Sequence, residues 1–288
     1  MLEIRRILFP VDFSDRCTAA APHIVAMAKH FRAKLTLLHL IETPPVWYGG
    51  IAAAQLESLV DTEELARERR VELDGYLKDE LATLPEVDRI VRRGSPAWMI
   101  AECAREESAD LIMMPTHGYG PFRRLLLGSV TAKVLHDAEC PVWTDVHEEA
   151  SFAPNGCRSV LCAVDLRDES VSPIQWAAAL AESYAADLTL MHAVPALVGP
   201  TPPEDFRFRT YLVQYAREFI TELQRKAGTA ARVCIEGGKI AETVRHAAIA
   251  HKADVVVIGQ GCMHETLGRL RSNAYNIVRE APCPVVRV

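Results

Sequence analysis

The sequence predicts an α/β protein made of two tandem doubly wound domains, each with a parallel sheet of five strands and helices on both faces. Three observations predict it. The first is an internal repeat: Arg6-Ile7-Leu8-Phe9-Pro10-Val11-Asp12-Phe13-Ser14-Asp15 returns as Ser159-Val160-Leu161-Cys162-Ala163-Val164-Asp165-Leu166-Arg167-Asp168. Leu35-Thr36-Leu37-Leu38-His39 returns as Leu188-Thr189-Leu190-Met191-His192, and Ala109-Asp110-Leu111-Ile112 as Ala253-Asp254-Val255-Val256. The second is alternation of short apolar runs with segments of helical periodicity, the pattern of β-α-β crossovers. The third is that the apolar runs are continuous rather than alternating, as parallel strands buried on both faces require.

Each element follows from local chemistry. Residues 4–11 are an apolar strand. Ser14 and Asp15 are candidate caps for a helix carrying Ile24, Met27, Ala28 and Phe31 on one face. Residues 35–41 form the second strand, and Pro44-Pro45 with Gly49-Gly50 mark a loop that also carries Trp47 and Tyr48. The apolar spacing of Leu73, Tyr76, Leu77, Leu81 and Leu84 predicts one long helix over 56–84. A strand over 87–93 ends at Gly94, and Pro96 suits the first turn of a helix over 96–107. Residues 111–115 are the fourth strand, 128–137 a short helix and 141–144 a last strand. The second copy repeats the order, with strands over 159–165, 187–194, 230–236, 254–259 and 284–288. Its helices span 171–185, 204–226, 239–251 and 272–280. It is shorter in its middle. The domains are read as 1–147 and 159–288, joined by a linker over 148–158.

The chain has 288 residues, 49% hydrophobic and 24% charged, with a net charge of −6. That length suits two domains, each able to bury a core. The acidic balance argues against nucleic-acid binding. No apolar run approaches the roughly 20 residues of a membrane span, and the first residues lead straight into a strand with no leader pattern. None of the eight cysteines forms a C-x-x-C pair. The expectation is a reduced, cytoplasmic protein without disulfides.

Chemistry concentrates where the strands end. After the fourth strand come Pro115-Thr116-His117-Gly118-Tyr119-Gly120-Pro121-Phe122-Arg123-Arg124-Leu125-Leu126-Leu127-Gly128-Ser129-Val130. Glycines admit an anion close to the backbone, and a helix opening at Gly128-Ser129 presents free N–H groups. Asp12 and Gly94 end other strands on the same edge, where ligands of open α/β sheets bind. There is no Walker motif, no G-x-G-x-x-G after a first strand and no G-x-S-x-G elbow.

On these residues the chain resembles a tandem member of the universal stress protein family, over nearly all of both halves. The resemblance implies the strand order 3-2-1-4-5 and ATP, with Mg2+ alongside, in the first domain. Gly118 and Gly128-Ser129 match the family's glycine pattern, but Pro115 stands at its first glycine. By the same resemblance Asp12 contacts adenosine, Leu40 meets the adenine through its backbone, and Gly94 lies by the ribose and phosphates. The second-domain equivalents are Asp165, Ala193, Gly238 and Gly259. There Cys262 replaces a glycine and Ser272-Asn273 replaces Gly-Ser, with Asn273 still able to cap a helix. The implied role is regulatory or signalling, with at most slow ATP hydrolysis and no catalytic residue assigned.

The structural readings stand beside these. Asp12 and Asp165 suit caps after a strand, His39 and His192 suit packing at a strand end, and Arg123-Arg124 suit a solvated turn. Two rival functions are a scaffold that binds a protein partner, and a metal-responsive site around Cys262 and His264, whose spacing is no recognised ligand set. The paired motifs Cys140-Pro141-Val142-Trp143 and Cys283-Pro284-Val285-Val286 predict that the two last strands meet, since an exposed apolar edge invites aggregation. A homodimer of tandem chains is the expected assembly, with no nucleic-acid or membrane partner.

Overall fold

The computed structural model describes residues 2–42, 62–116, 127–145, 156–195, 205–260 and 270–288. They divide into two compact units. The first holds β1 (Arg6–Val11), α1 (Asp15–Phe31), β2 (Lys34–Ile41), α2 (Thr62–Gly75), α3 (Lys78–Leu81), β3 (Val87–Arg93), α4 (Pro96–Glu106), β4 (Leu111–Pro115) and α5 (Ser129–Asp137). Its strands lie in the order β3-β2-β1-β4, and each pairing is parallel. The second unit holds β5 (Val142–Asp145), β6 (Ser159–Ala163), α6 (Val171–Tyr184), β7 (Asp187–Val194), α7 (Asp205–Ala227), β8 (Arg232–Gly237), α8 (Ile240–Ala250), β9 (Val255–Ile258), α9 (Leu270–Glu280) and β10 (Val285–Arg287). Its order is β5-β10-β9-β6-β7-β8. The second repeat thus shows the full 3-2-1-4-5 order, and the first four strands of the first repeat show 3-2-1-4.

The fold is α/β, with helices on both faces of a mostly parallel sheet. Strand composition explains it. Leu8, Phe9, Leu35, Leu37, Leu38, Leu111 and Ile112 are all 0% exposed, so consecutive residues on β1, β2 and β4 are buried on opposite faces. Such strands need helices on both sides.

In chain order β5 closes the first repeat, yet it packs in the unit of the second. It runs antiparallel to β10, with Trp143 opposite Val286 and Thr144 opposite Val285. The last strands therefore meet, as the paired Cys-Pro-Val motifs predict. The Thr144 hydroxyl donates to the Val285 carbonyl at 3.0 Å, and Trp143 and Val286 are both fully buried. Pairing of this kind removes the exposed edges that two separate last strands would present.

One predicted helix is two. The periodicity over 56–84 holds through Leu73, Leu77, Leu81 and Leu84, all buried, but the backbone breaks between α2 and α3. Leu77 takes φ 52°, ψ 30°, a left-handed conformation that a helix cannot contain. The apolar spacing survives because both pieces lie on the same core, so periodicity alone does not reveal the break. Residues 43–61, with Trp47 and Tyr48, lie outside the described ones.

Both repeats anchor their first strand in the same way. The Asp110 carboxylate accepts the backbone N–H groups of Arg5 at 2.7 Å and Arg6 at 2.9 Å. Asp254 accepts those of Arg158 and Ser159 at the same two distances. This is the physical content of the repeated Ala-Asp before the fourth strand. Carboxylate acceptors make strong bonds, and two N–H groups lose their partner if the side chain goes. Asp110→Ala and Asp254→Ala should each lower stability by about 2–3 kcal/mol, and the Asn variants by less. Urea denaturation followed by circular dichroism measures both.

Candidate functional site

In the first unit the carboxyl ends of the strands carry the residues singled out in the sequence. Asp12 follows β1, Leu40 is the penultimate residue of β2, Gly94 follows β3, and Gly128-Ser129 open α5 beyond β4. The order β3-β2-β1-β4 places the topological switch between β1 and β4, the position at which open α/β sheets bind their ligands. The last paired residues of β1 and β2 are Val11 and His39, so β2 outruns β1 by Leu40 and Ile41. The backbone of Leu40 thereby rises beside the turn that carries Asp12. Gly118, Arg123 and Arg124 lie outside the described residues.

The turn after β1 is tightly held. Asp12 Oδ1 accepts the Ser14 N–H at 3.0 Å and lies 3.1 Å from Cys17 Sγ. Ser14 caps α1, its hydroxyl accepting the Cys17 N–H at 3.4 Å. Asp12 itself is half-buried. Burial, then the nearby Asp12 charge, pushes the Cys17 thiol up to about 12, so it is a protonated donor and no nucleophile. Phe13 sits at φ 60°, a conformation rare for a bulky side chain. Its ring packs 4.3 Å from that of His39 and edge-on to Tyr76 at 5.2 Å. The Tyr76 hydroxyl bonds Thr18 Oγ1 at 3.0 Å. Sequence reading assigned no role at the site to Phe13, Cys17 or Tyr76; it placed Tyr76 only on the apolar stripe of a helix and Phe13 only in the repeated segment.

His39 is buried, and its Nδ1–H donates to the Val11 carbonyl at 2.9 Å. His192 does the same to Val164 at 2.8 Å. The repeated histidine locks a strand end in both units, which is its structural reading. Gly94 and Gly238 likewise recur for a backbone reason. Their φ values are 141° and 154°. A Cβ on Gly94 would lie 2.8 Å from Met99 Cγ, and one on Gly238 would collide with Thr243 Oγ1.

Two helix N-termini open at this edge without side-chain caps, α4 behind Ser95 and α5 behind Gly128, and the two helices pack together. Uncapped first turns present free N–H donors and the positive end of the helix dipole. Gly128 contributes differently from expectation. Its φ of −60° and ψ of 143° suit any residue, and its own N–H is donated to the Thr116 carbonyl at 2.9 Å. The donors left for an anion are therefore those of the first turn beginning at Ser129, which is exposed. The Thr131 hydroxyl ties that turn to the Pro115 carbonyl at 3.3 Å.

The second unit repeats the frame without the grip on the carboxylate. Asp165 is exposed, Ala193 is buried in β7, Gly238 follows β8 and Gly259 follows β9. Ser170 occupies the place of Cys17, and its hydroxyl donates to the Asp165 main-chain carbonyl at 2.9 Å. Asn273 is not a cap: α9 already begins at Leu270, so Asn273 lies inside the helix. Cys262 and His264 lie outside the described residues, and no group of three His, Cys, Asp or Glu side chains suited to a metal occurs among the described ones. The seven described cysteines are free thiols. No described helix is long and apolar enough to cross a membrane.

The fold defines a tandem α/β protein of the doubly wound type. A model of the universal stress protein family matches residues 3–145 and again 156–288, and the chain belongs to that family. A universal stress protein of Methanocaldococcus jannaschii is 33% identical over 138 residues, 48% of this chain and 79% of its own length. One of Thermus aquaticus is 33% identical over 139 residues, 48% of this chain and 96% of its own. Among solved structures, a universal stress protein of Archaeoglobus fulgidus matches with a TM-score of 0.67 at 18% identity, covering 99% of this chain and 96% of that one. A functionally unknown protein of Pseudomonas aeruginosa matches at 0.64 with 21% identity, over 99% and 92%. Both share the fold.

Burial holds the His39 imidazole below its ordinary value of 6.5, against the opposing pull of its bond to Val11. A histidine kept neutral in the folded state contributes stability that is present above the unfolded value and lost as pH falls through the folded one. Stability of the wild type should therefore decline below about pH 6.5. His39→Gln should be less stable at pH 7.5 and show a flatter decline. Urea midpoints across pH 5–8 measure both; parallel curves for the two proteins would count against it.

Proposed function

We propose that the first repeat binds ATP or a related adenine nucleotide at the β1–β4 crevice. The protein then acts as a ligand-responsive regulatory module, in the cytoplasm and as a homodimer of tandem chains. The observation that carries this reading is the pairing of a held carboxylate, Asp12, with the uncapped N-termini of α4 and α5 on one sheet edge. A carboxylate suits the hydrogen-bond donors of a nucleoside, and free helix N–H groups suit phosphates. The Leu40 backbone and Gly94 stand between them on the same edge. Ser129 supplies a hydroxyl, and Mg2+ would accompany the phosphates as substrate counter-ion. The second repeat keeps the weaker equivalents Asp165, Ala193, Gly238 and Gly259, but Cys262 and Ser272-Asn273 replace the glycines of its loop, so its role is mainly architectural.

One observation favours a different reading, a scaffold that binds a protein partner. Pro115 has no N–H, and that of Gly128 is spent on Thr116, so two expected amide donors are not offered to a phosphate. Millimolar MgATP separates the two readings. A ligand at about 100 times its dissociation constant adds roughly 2.7 kcal/mol, which should raise the melting point by about 5–10 °C. Gly128→Val should abolish the rise, since its backbone angles accept valine while the added bulk obstructs the helix start. Absence of any shift in the wild type would favour the scaffold.

Hydrolysis should be slow. Phosphoryl transfer needs a positioned nucleophile and dense charge at the γ-phosphate. Asp12 sits at the nucleoside end of the proposed site, and the chain has no Walker lysine. Turnover should fall far below the roughly 1–100 s⁻¹ of kinases. A steady-state rate above about one per second that disappears in Gly128→Val would establish an enzyme instead.

A further inference from the structure

The two units differ most clearly in how their first-strand aspartate is held. In the first, α1 starts directly after the turn and brings Cys17 under the carboxylate: Sγ is 3.1 Å from Asp12 Oδ1, which also accepts the Ser14 N–H at 3.0 Å. Both donors converge on one oxygen. In the second, a short 3-10 turn (Asp168–Ser170) intervenes before α6. The matching side chain, Ser170, turns to the main chain, donating to the Asp165 carbonyl at 2.9 Å and accepting the Asp165 N–H at 3.2 Å. Asp165 is left exposed, while Asp12 is half-buried.

We infer that Cys17 is a positioning residue for nucleoside recognition: its thiol fixes one oxygen of Asp12 and leaves the other for the ligand. This rests on the nucleotide reading above and deepens it, because it places the preference for the first repeat in this turn as well as in the glycine loop. The thiol is 2% exposed and has a second acceptor, the Pro10 carbonyl at 3.9 Å, so its rotamer is confined. A carboxylate already oriented loses less freedom on binding than one free to rotate, and that pre-organisation is what the second repeat lacks. Cys17 touches no ligand atom in this scheme; it acts through Asp12.

Isothermal titration calorimetry of the full chain tests this with three probes: ATP, adenosine and tripolyphosphate. Cys17→Ala and the near-isosteric Cys17→Val, neither of which can donate, should weaken ATP and adenosine alike by about tenfold and leave tripolyphosphate unchanged. Cys17→Ser keeps a donor and should recover binding to within about threefold of wild type. In an Asp12→Asn background, Cys17→Ala should cause no further loss. Melting without ligand identifies any variant that fails to fold, and the remaining one of the Ala and Val pair then decides. Wild-type affinity for ATP in Cys17→Val overturns the inference and leaves the nucleotide reading standing. Equal loss for tripolyphosphate overturns it too, as general distortion of the site. A wild type that binds neither ATP nor adenosine overturns both.

Discussion

The alignment of β1 between β2 and β4 is the constraint on which the first unit depends, and β6 between β7 and β9 repeats it. A central parallel strand has neighbours on both sides and helices on both faces, so its register fixes every other element. Its start is pinned by two N–H groups on Asp110, and its end by the His39 imidazole on the Val11 carbonyl. Asp254 and His192 do the same work in the second unit. Six residues of strand held at both ends leave little room for slippage. A shift of one residue would exchange its buried faces and misplace the turn that follows.

That rigidity is what allows the turn after β1 to be strained and polar. Phe13 adopts a left-handed conformation between the candidate ligand residue Asp12 and the helix cap Ser14. Its ring is held by His39, which itself secures the strand end. Strain of about 1–3 kcal/mol persists only where the surroundings over-determine it. Here the surroundings are the locked strand, the capped helix and the Tyr76–Thr18 bond. Strand register, turn conformation and carboxylate orientation thus form one causal chain.

The repeat separates what the fold needs from what a ligand needs. The Asp anchor, the histidine lock and the glycine after the third strand recur in both units with the same geometry, so folding alone explains them. Gly94 therefore does not by itself mark a ligand. The features that do not recur are the directly capped α1, Cys17 beneath Asp12, and an α5 that opens behind Gly128. These differences converge on one sheet edge of the first unit, and the functional reading rests on them.

The sequence by itself determined the tandem α/β architecture, because continuous apolar runs and helical periodicity are local consequences of burial on two faces and on one. It also located the strand-end residues Asp12, Gly94 and Gly128-Ser129, since motifs at strand ends are readable in chain order, while Leu40 is singled out only by the resemblance to the universal stress protein family. Only the tertiary structure decided the rest. The break at Leu77 is a single dihedral hidden under an unbroken apolar stripe. The N–H of Gly128 is committed to the Thr116 carbonyl, a bond that no motif spacing reports. The paired Cys-Pro-Val motifs predict that β5 meets β10, but the antiparallel register that sets Trp143 opposite Val286 is visible only in the structure. The Cys17–Asp12 contact depends on where the first turn of a helix begins, and the same repeat position holds Ser170 in a different role. Periodicity records which face is buried. It does not record the single dihedral or single hydrogen bond on which a site turns.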